Sequence, residues 1–351
     1  MPVSLVALIV ACVEPAEPGY DFELETERII IVGKGREPGS LCAGTADWID
    51  AYVDALAPYY GLPNGLIGKY VWFSDEEYAQ SSICGSSGAC QGWSDDLPAV
   101  FAPQIPIEHE LSHVLQSYVS MSCVSMIEEG LAEFLRGPRP TGALSPIDDL
   151  VAASFAEESL SPGEYARARS FVSFLVDSYG LQTIIDLCPT VPADSSPDEF
   201  DAASLELLGK TLAELLADYA DYPECHDSRD RAKIMECSRE PDAVVGQGEM
   251  VTIPIDASCA SPEAVGPKWG SFHISKQVRL LEYGSYNIHL ISDENVTDVS
   301  VRFERCASCS EDPTLTLVGE FPFSAQPGDY ALDLAFPIET DAHVVVEVWG
   351  L

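Results

Sequence analysis

The spacing of apolar residues changes character twice along the chain. An apolar run, MPVSLVALIVA, fills residues 1–11 and stops at Cys12; it is too short to span a membrane as a helix and has the length of a signal-peptide core. Residues 12–20 are Pro- and Glu-rich and read as a linker. Arg28 to Val32 then reads as a strand, and Thr45 opens a helical stripe of Trp48, Ile49, Tyr52, Val53 and Leu56. Tyr70 to Phe73 is a second strand, Ser74 to Glu77 resembles a capping box on a short helix, and Ala99 to Ala102 is a brief extended run. From there to about Tyr222 the period is helical. Ser161-Pro162-Gly163-Glu164 caps a long helix carrying Tyr165, Ala168, Val172, Leu175 and Tyr179, which Gly180 stops, and further helices start at Pro197 and Thr211. Beyond Cys237 the period falls to 2, in runs such as Val251 to Ile255, Tyr286 to Leu290, Val299 to Phe303 and His343 to Trp349. Some eight such runs, separated by Gly, Pro, Asp and Ser, predict an antiparallel sandwich. The chain therefore divides at a seam around Asp227 to Gly248, into an α+β part over 21–235 and an all-β part over 236–351.

Length agrees with two domains, since 351 residues at about 150 per domain give roughly two. Eighteen Lys and Arg against 57 Asp and Glu leave a formal charge of −39. A surface so acidic repels phosphate backbones, which excludes nucleic acid as a partner. With 46% apolar residues the chain is not disordered. Its eleven cysteines are an odd number for a secreted protein. Setting Cys12 aside leaves Cys42, Cys84, Cys90, Cys123, Cys188, Cys225, Cys237, Cys259, Cys306 and Cys309, enough for five disulfides in an oxidising, extracytoplasmic compartment. Cys84 and Cys90 bracket a short turn-rich loop and form the expected local pair. A competing reading of Cys306-Ala-Ser-Cys309 is half a zinc site or a redox motif, but it has no second cysteine pair at zinc-site spacing. The stretch Ile9-Val10-Ala11-Cys12 resembles the bacterial lipobox. That resemblance implies removal of residues 1–11 and a lipid anchor on Cys12, in a cell-envelope lipoprotein; the alternative is an ordinary secretory signal.

The stretch with the most chemistry is Pro106-Ile-Glu-His109-Glu110-Leu-Ser-His113, an HExxH pattern. Four residues apart on a helix, two imidazoles share a face and can grip one Zn²⁺, while the intervening Glu110 reaches a metal-bound water. Ile107, Leu111, Val114, Leu115 and Tyr118 form a separate stripe suited to burial. A catalytic zinc needs a third protein ligand. The metzincin continuation fails, because Gln116 and Val119 occupy its Gly and His positions, which leaves a downstream carboxylate. Ser125 to Pro138 reads as a second helix, with Ser125 and Glu128 as its capping box and Gly137-Pro138 as its stop. Glu129 and Glu133 then share one face: Glu129 is suited to ligate zinc and Glu133 to hold a ligating imidazole in one tautomer.

HELSH followed by EEGLAEFL resembles the gluzincin clan of zinc metallopeptidases, closely over residues 99–135 and more loosely over Tyr165 to Gly180. The resemblance implies a zincin-like domain with a small N-terminal sheet, an active-site helix and a helical C-terminal half, followed by the β-sandwich as an accessory domain. It implies a polypeptide substrate, Glu110 as general base, and a Tyr or His that stabilises the oxyanion, for which Tyr165 is the candidate. Tyr165 also shares the apolar stripe of its helix, so core packing is its competing role. By the same resemblance Ala99 to Ala102 would be the edge strand along which a peptide adds. The departures are a short spacer between His113 and Glu129, and Ile127 where an aromatic is common. The rival class is a zinc-containing surface binding or adhesion lipoprotein with little or no catalysis, against which the intact Glu110 argues. His226, His273, His289 and His343 are scattered and are not expected to be ligands, and nothing in the pattern sets an oligomeric state.

Overall fold

The computed structural model describes residues 19–85, 87–119, 123–136, 147–156, 160–222, 234–237, 239–292, 296, 299–306, 315–317 and 321–351. The apolar leader, the lipobox, Cys225, His226 and Cys309 lie outside these residues, as do Ser120 to Ser122 and Gly137-Pro138.

The first half is mixed α and β. Strands β1 (Phe22–Glu25) and β2 (Ile29–Lys34) are followed by helix α1 (Thr45–Tyr60), β3 (Gly68–Phe73), α2 (Asp75–Ser81), β4 (Cys90–Ser94) and β5 (Leu97–Ala102). Helices α3 (Glu108–Gln116), α4 (Ser125–Leu135), α5 (Asp148–Phe155), α6 (Pro162–Tyr179), α7 (Leu181–Leu187), α8 (Pro197–Leu207), α9 (Leu212–Ala220) and the short α10 (Ile234–Cys237) come next. The helix starts obey the capping chemistry in the sequence: Ser161, Ser196 and Thr211 each form a reciprocal box with a Glu three residues on, and Ser74 accepts from the Glu77 N–H. Gly61, at φ +59, ends α1 by bonding back to the Ala57 carbonyl. Among the described residues no single helix is long and apolar enough to cross a membrane.

The strands of the first half form one sheet in the order β1-β2-β3-β5-β4, with β2, β3 and β5 parallel and β4 antiparallel to β5. The expected edge position of Ala99 to Ala102 is thereby corrected: that run lies in β5, an interior strand, and the polar β4 takes the edge. The reason is burial on both faces. Val100 and Ala102 point into the main helical core, whereas Ala99 and Phe101 join Val32, Val71 and Phe73 on the opposite face. Such a strand is apolar at consecutive positions rather than alternate ones.

The second half is β-rich. It contains β6 (Ala243–Val245), β7 (Met250–Ser258), β8 (Val265–Lys268), β9 (Ser271–Leu280), β10 (Gly284–Ser292), β11 (Ser300–Arg305), β12 (Leu315–Leu317), β13 (Phe321–Ala325), β14 (Gly328–Pro337) and β15 (Asp341–Gly350). One sheet runs β13-β10-β15-β7 and the other β12-β11-β14-β9-β6, with β8 pairing β9. Inward residues of both sheets, such as Ile253, Tyr286 and Val346 from one and Ile274, Phe303 and Leu332 from the other, share a single apolar cluster. The expectation of a purely antiparallel arrangement needs one correction, because β6 runs parallel to β9.

The two halves are joined by more than the chain. Cys42, ahead of α1, is buried in the core of the second half and bonded to Cys259. Closing a loop of that length is worth about 5 kcal/mol in the chain-entropy account. Around it the backbones pair, Cys42 N–H to the Gly266 carbonyl at 3.0 Å and Gly44 N–H to that of Ala264 at 3.0 Å. A Cβ on Gly44 would meet the Pro262 carbonyl oxygen at 2.3 Å, so only glycine allows this approach. Three further disulfides are formed among the described residues, Cys84–Cys90, Cys123–Cys188 and Cys237–Cys306. These bonds place the protein in an extracellular or otherwise oxidising environment. They also remove Cys306 from the alternative zinc or redox reading.

Candidate metal centre

Helix α3 turns Leu111, Val114 and Leu115 into the core, which leaves His109 and His113 on the flank that faces α4. Tyr118, from the same predicted stripe, is instead exposed, with its hydroxyl donating to the Ile67 carbonyl at 2.6 Å. Helix α4 begins one residue earlier than its predicted cap: Val124 holds the cap position and Ser125 the first helical turn. The cause lies in the preceding segment, where the Cys123–Cys188 bond and the Val124 N–H to Val191 carbonyl bond fix the chain. Glu128 still serves the helix start, accepting from the Cys123 N–H at 3.0 Å. Further along, Gly130 is where α4 crosses α6, because a Cβ there would lie 2.5 Å from Val172 Cγ2 and 2.7 Å from the Ala168 carbonyl. Gly130→Ala should therefore force the helices apart, lower stability by about 1–3 kcal/mol and weaken the adjoining centre; thermal melts with and without metal check both effects.

Three atoms meet between the helices. His109 Nε2 is 3.1 Å from His113 Nε2, and Glu129 Oε2 is 3.2 Å from the first and 3.4 Å from the second. A tetrahedron with ligand bonds of about 2.0–2.1 Å has edges of roughly 3.3 Å, so this triangle matches one face of a four-coordinate ion site. The outer nitrogens are each held by another group. His109 Nδ1 is 3.0 Å from Glu133 Oε1, and His113 Nδ1 is 2.9 Å from Gln116 Oε1. With the His113 Nδ1–H donating to Gln116 and the Glu133 carboxylate beside His109 Nδ1, the Nε2 lone pairs face inward with the Glu129 oxygen, three electron-rich atoms that a cation would satisfy together. This His/His/Glu group could hold a metal ion.

Glu133 is 1% exposed, so it is not a solvent-facing helix residue. Arg136, one turn on, adds a contact to the same Glu133 oxygen at 3.2 Å. Tyr165 on α6 lays its ring against His109, 5.4 Å between centroids at 20°. The nearby Glu110 is half-buried, and its charge raises the pKa of His109, His113 and Tyr165. Burial, then the charges of Glu129, Glu110 and Glu133, push the Tyr165 phenol to about 12, so it stays a proton donor. Gln116 and Arg136 escaped the sequence reading. Gln116 stands three residues after His113 and Arg136 three after Glu133, spacings that put each on its partner's face. His273, His289 and His343 lie on separate strands of the β-rich half, beside Asp333, Glu347 and Asp256.

Electrostatics favour charge separation in the metal-free centre. Burial works against a charged imidazole, yet the Glu129 and Glu133 carboxylates beside it outweigh it and raise the His109 pKa to about 10. Burial likewise opposes the Glu129 carboxylate, but the two imidazoles lower it to about 2. The ordinary imidazole value is about 6.5, so between there and about 10 the metal-free protein keeps a proton that metal binding must expel. Affinity should then rise roughly tenfold per pH unit across that window. Calorimetric zinc titrations at pH 7.5 in buffers of different ionisation enthalpy should report release of at least about one proton. The stabilisation of the metal-free fold by this ion pair runs the other way: complete below about 6.5, it is lost as the pH rises through about 10.

No family model and no curated protein matches this chain. Solved structures give distant likenesses. The pre-peptidase C-terminal domain of a collagenase from Bacillus anthracis aligns at 13% identity over 31% of this chain and 97% of that one, with a TM-score of 0.22. A β-glucosidase from Paenibacillus barengoltzii aligns at 11% identity over 42% of this chain and 17% of that one, with a TM-score of 0.14. At such scores neither likeness bears on fold or function.

Proposed function

We propose that this protein is an exported, lipid-anchored zinc metallopeptidase of the gluzincin type with a zincin-like first domain, and that it hydrolyses peptide bonds. The observation that carries the reading is the meeting of His109, His113 and Glu129 at 3.1–3.4 Å with Glu110 on the same helix turn. The donor set of two imidazoles and one carboxylate is that of a catalytic zinc rather than a closed structural one. When bound, zinc would supply Lewis acidity toward the scissile carbonyl and toward water. Glu110 takes the proton from the attacking water and hands it to the leaving amine. The Tyr165 phenol, protonated up to about 12, donates to the developing oxyanion. Glu133 and Gln116 hold the two imidazoles in the tautomer that presents Nε2. An extended peptide adds along β4, the edge strand next to α3, whose Gln91 Nε2 donates to Ser117 Oγ at the end of that helix at 3.2 Å.

Glu133→Ala should cost about 10–100-fold in zinc affinity or activity, the range for groups that orient a ligand, and a competition titration against Glu129→Ala should rank Glu133→Ala the milder change. The reading as a whole is tested by digesting a proteome-derived peptide library with the protein as purified, after chelation, and after zinc is returned. New cleavages should appear, vanish and reappear. A protein that holds zinc yet cleaves nothing in any arm would move the function to the adhesion lipoprotein reading.

A further inference from the structure

We propose that Lys268, carried by the β-rich second half, is a positioning residue for the metal-holding helix, which makes that half a working part of the centre rather than an appended module. The inference rests on the reading of His109, His113 and Glu129 as a metal site. Lys268 Nζ lies 3.0 and 2.8 Å from the two carboxylate oxygens of Glu108, with the side chains 14% and 17% exposed. Glu108 is the first residue of α3 and the immediate neighbour of His109. That helix start has no side-chain cap, since Ile107 occupies the cap position, so the ion pair supplies a side-chain fix that the cap does not. A charge pair this withdrawn from water holds its partners more firmly than a surface pair does, because parting them strands a poorly hydrated charge.

Lys268 is itself held from both ends. On the backbone side, the Pro267 carbonyl accepts the Ile105 N–H at 3.1 Å, and Gly266 exchanges two hydrogen bonds with the Thr45 hydroxyl at 2.8 and 2.9 Å. The segment 266–268 is thus pinned to the start of α1 and to the approach of α3. On the head-group side, the Lys268 ammonium stands 5.1 Å from the centre of the Trp269 ring. Trp269 and Gly270, at φ +52 and +77, are the two central residues of the turn that joins β8 to β9, where Lys268 pairs with Ser271. A two-residue turn with both centres left-handed favours Asn-Gly, Asp-Gly or Gly-Gly, and a bulky residue in the first place is strained. Trp269 is also 62% exposed, so core packing does not account for it. Support of the Lys268 head group does.

The test uses full-length Lys268→Met, Lys268→Arg and Trp269→Asn proteins beside wild type. Zinc affinity is read by competition with a chromophoric chelator, site geometry by the visible spectrum of the cobalt-loaded protein, and stability by thermal melts. Lys268→Met should bind zinc roughly tenfold more weakly, at the low end for outer groups, with an altered cobalt spectrum, and Lys268→Arg should recover most of both. Trp269→Asn relaxes the turn, so it should melt no lower than wild type while still binding zinc a few-fold more weakly. A merely structural role would not separate stability from affinity in this way, and the Trp269→Asn protein alone decides the question if Lys268→Met fails to fold. Unchanged affinity and cobalt spectrum in folded Lys268→Met, or in Trp269→Asn where the former does not fold, would overturn the inference while leaving the metal site standing. A wild type that takes up no zinc would remove the metal reading and the inference with it.

Discussion

Glu110→Gln should abolish hydrolysis while the metal stays bound. The glutamine amide keeps the size and reach of the carboxylate but cannot accept a proton, and general-base catalysis of this kind contributes about 10²–10⁴-fold. Glu110 is absent from the triangle of His109 Nε2, His113 Nε2 and Glu129 Oε2, so its replacement takes no atom from the ion. The expected result is a kcat/KM reduced at least about a hundredfold with zinc content equal to wild type. Retention of more than about a tenth of the activity would remove Glu110 from the role of base. Loss of zinc from this variant would show instead that the carboxylate is a ligand.

His113→Ala should have the complementary effect. It deletes one of the three proposed ligand atoms and leaves the other two, His109 Nε2 and Glu129 Oε2, 3.2 Å apart. Two protein ligands are too few for a catalytic zinc site, so affinity should fall well beyond the roughly 10–100-fold of outer-group changes, and hydrolysis should fall with it. The deletion also leaves Gln116 without the Nδ1–H its oxygen accepts. The metal-free variant should nevertheless fold, because the core contacts of α3 come from Leu111, Val114 and Leu115. Equilibrium dialysis with circular dichroism on the same samples separates lost metal from lost fold.

What could be read from the residues alone is what depends on neighbours a turn or two away. Ser161 with Glu164, Ser196 with Glu199 and Thr211 with Glu214 announce helix starts because each box closes within four residues. The two histidines of the HExxH turn, and Glu129 with Glu133, share faces for the same reason, and the structure brings all four to one place. The Cys84–Cys90 pair closes over a short loop and is legible too. Strand order is not. Nothing local tells β5 that the turn before it leaves β4 outside it, although two-faced burial does show in its unbroken apolar run. The start of α4 slips by one residue because a disulfide and a backbone bond to Val191 set it, partners more than sixty residues away. Lys268 lies still further out of reach: its partner Glu108 is 160 positions earlier, and only the folded seam around Cys42–Cys259 brings them together.

The zinc content of the protein as purified, measured by elemental analysis beside a His109→Ala/His113→Ala double variant, decides whether the two imidazoles hold the ion. One zinc per chain is expected in the wild type and none in the double variant, with both folded. A folded wild type that takes up no zinc even when it is supplied, or a double variant that keeps its full complement, would contradict the assignment of His109, His113 and Glu129 as a zinc site.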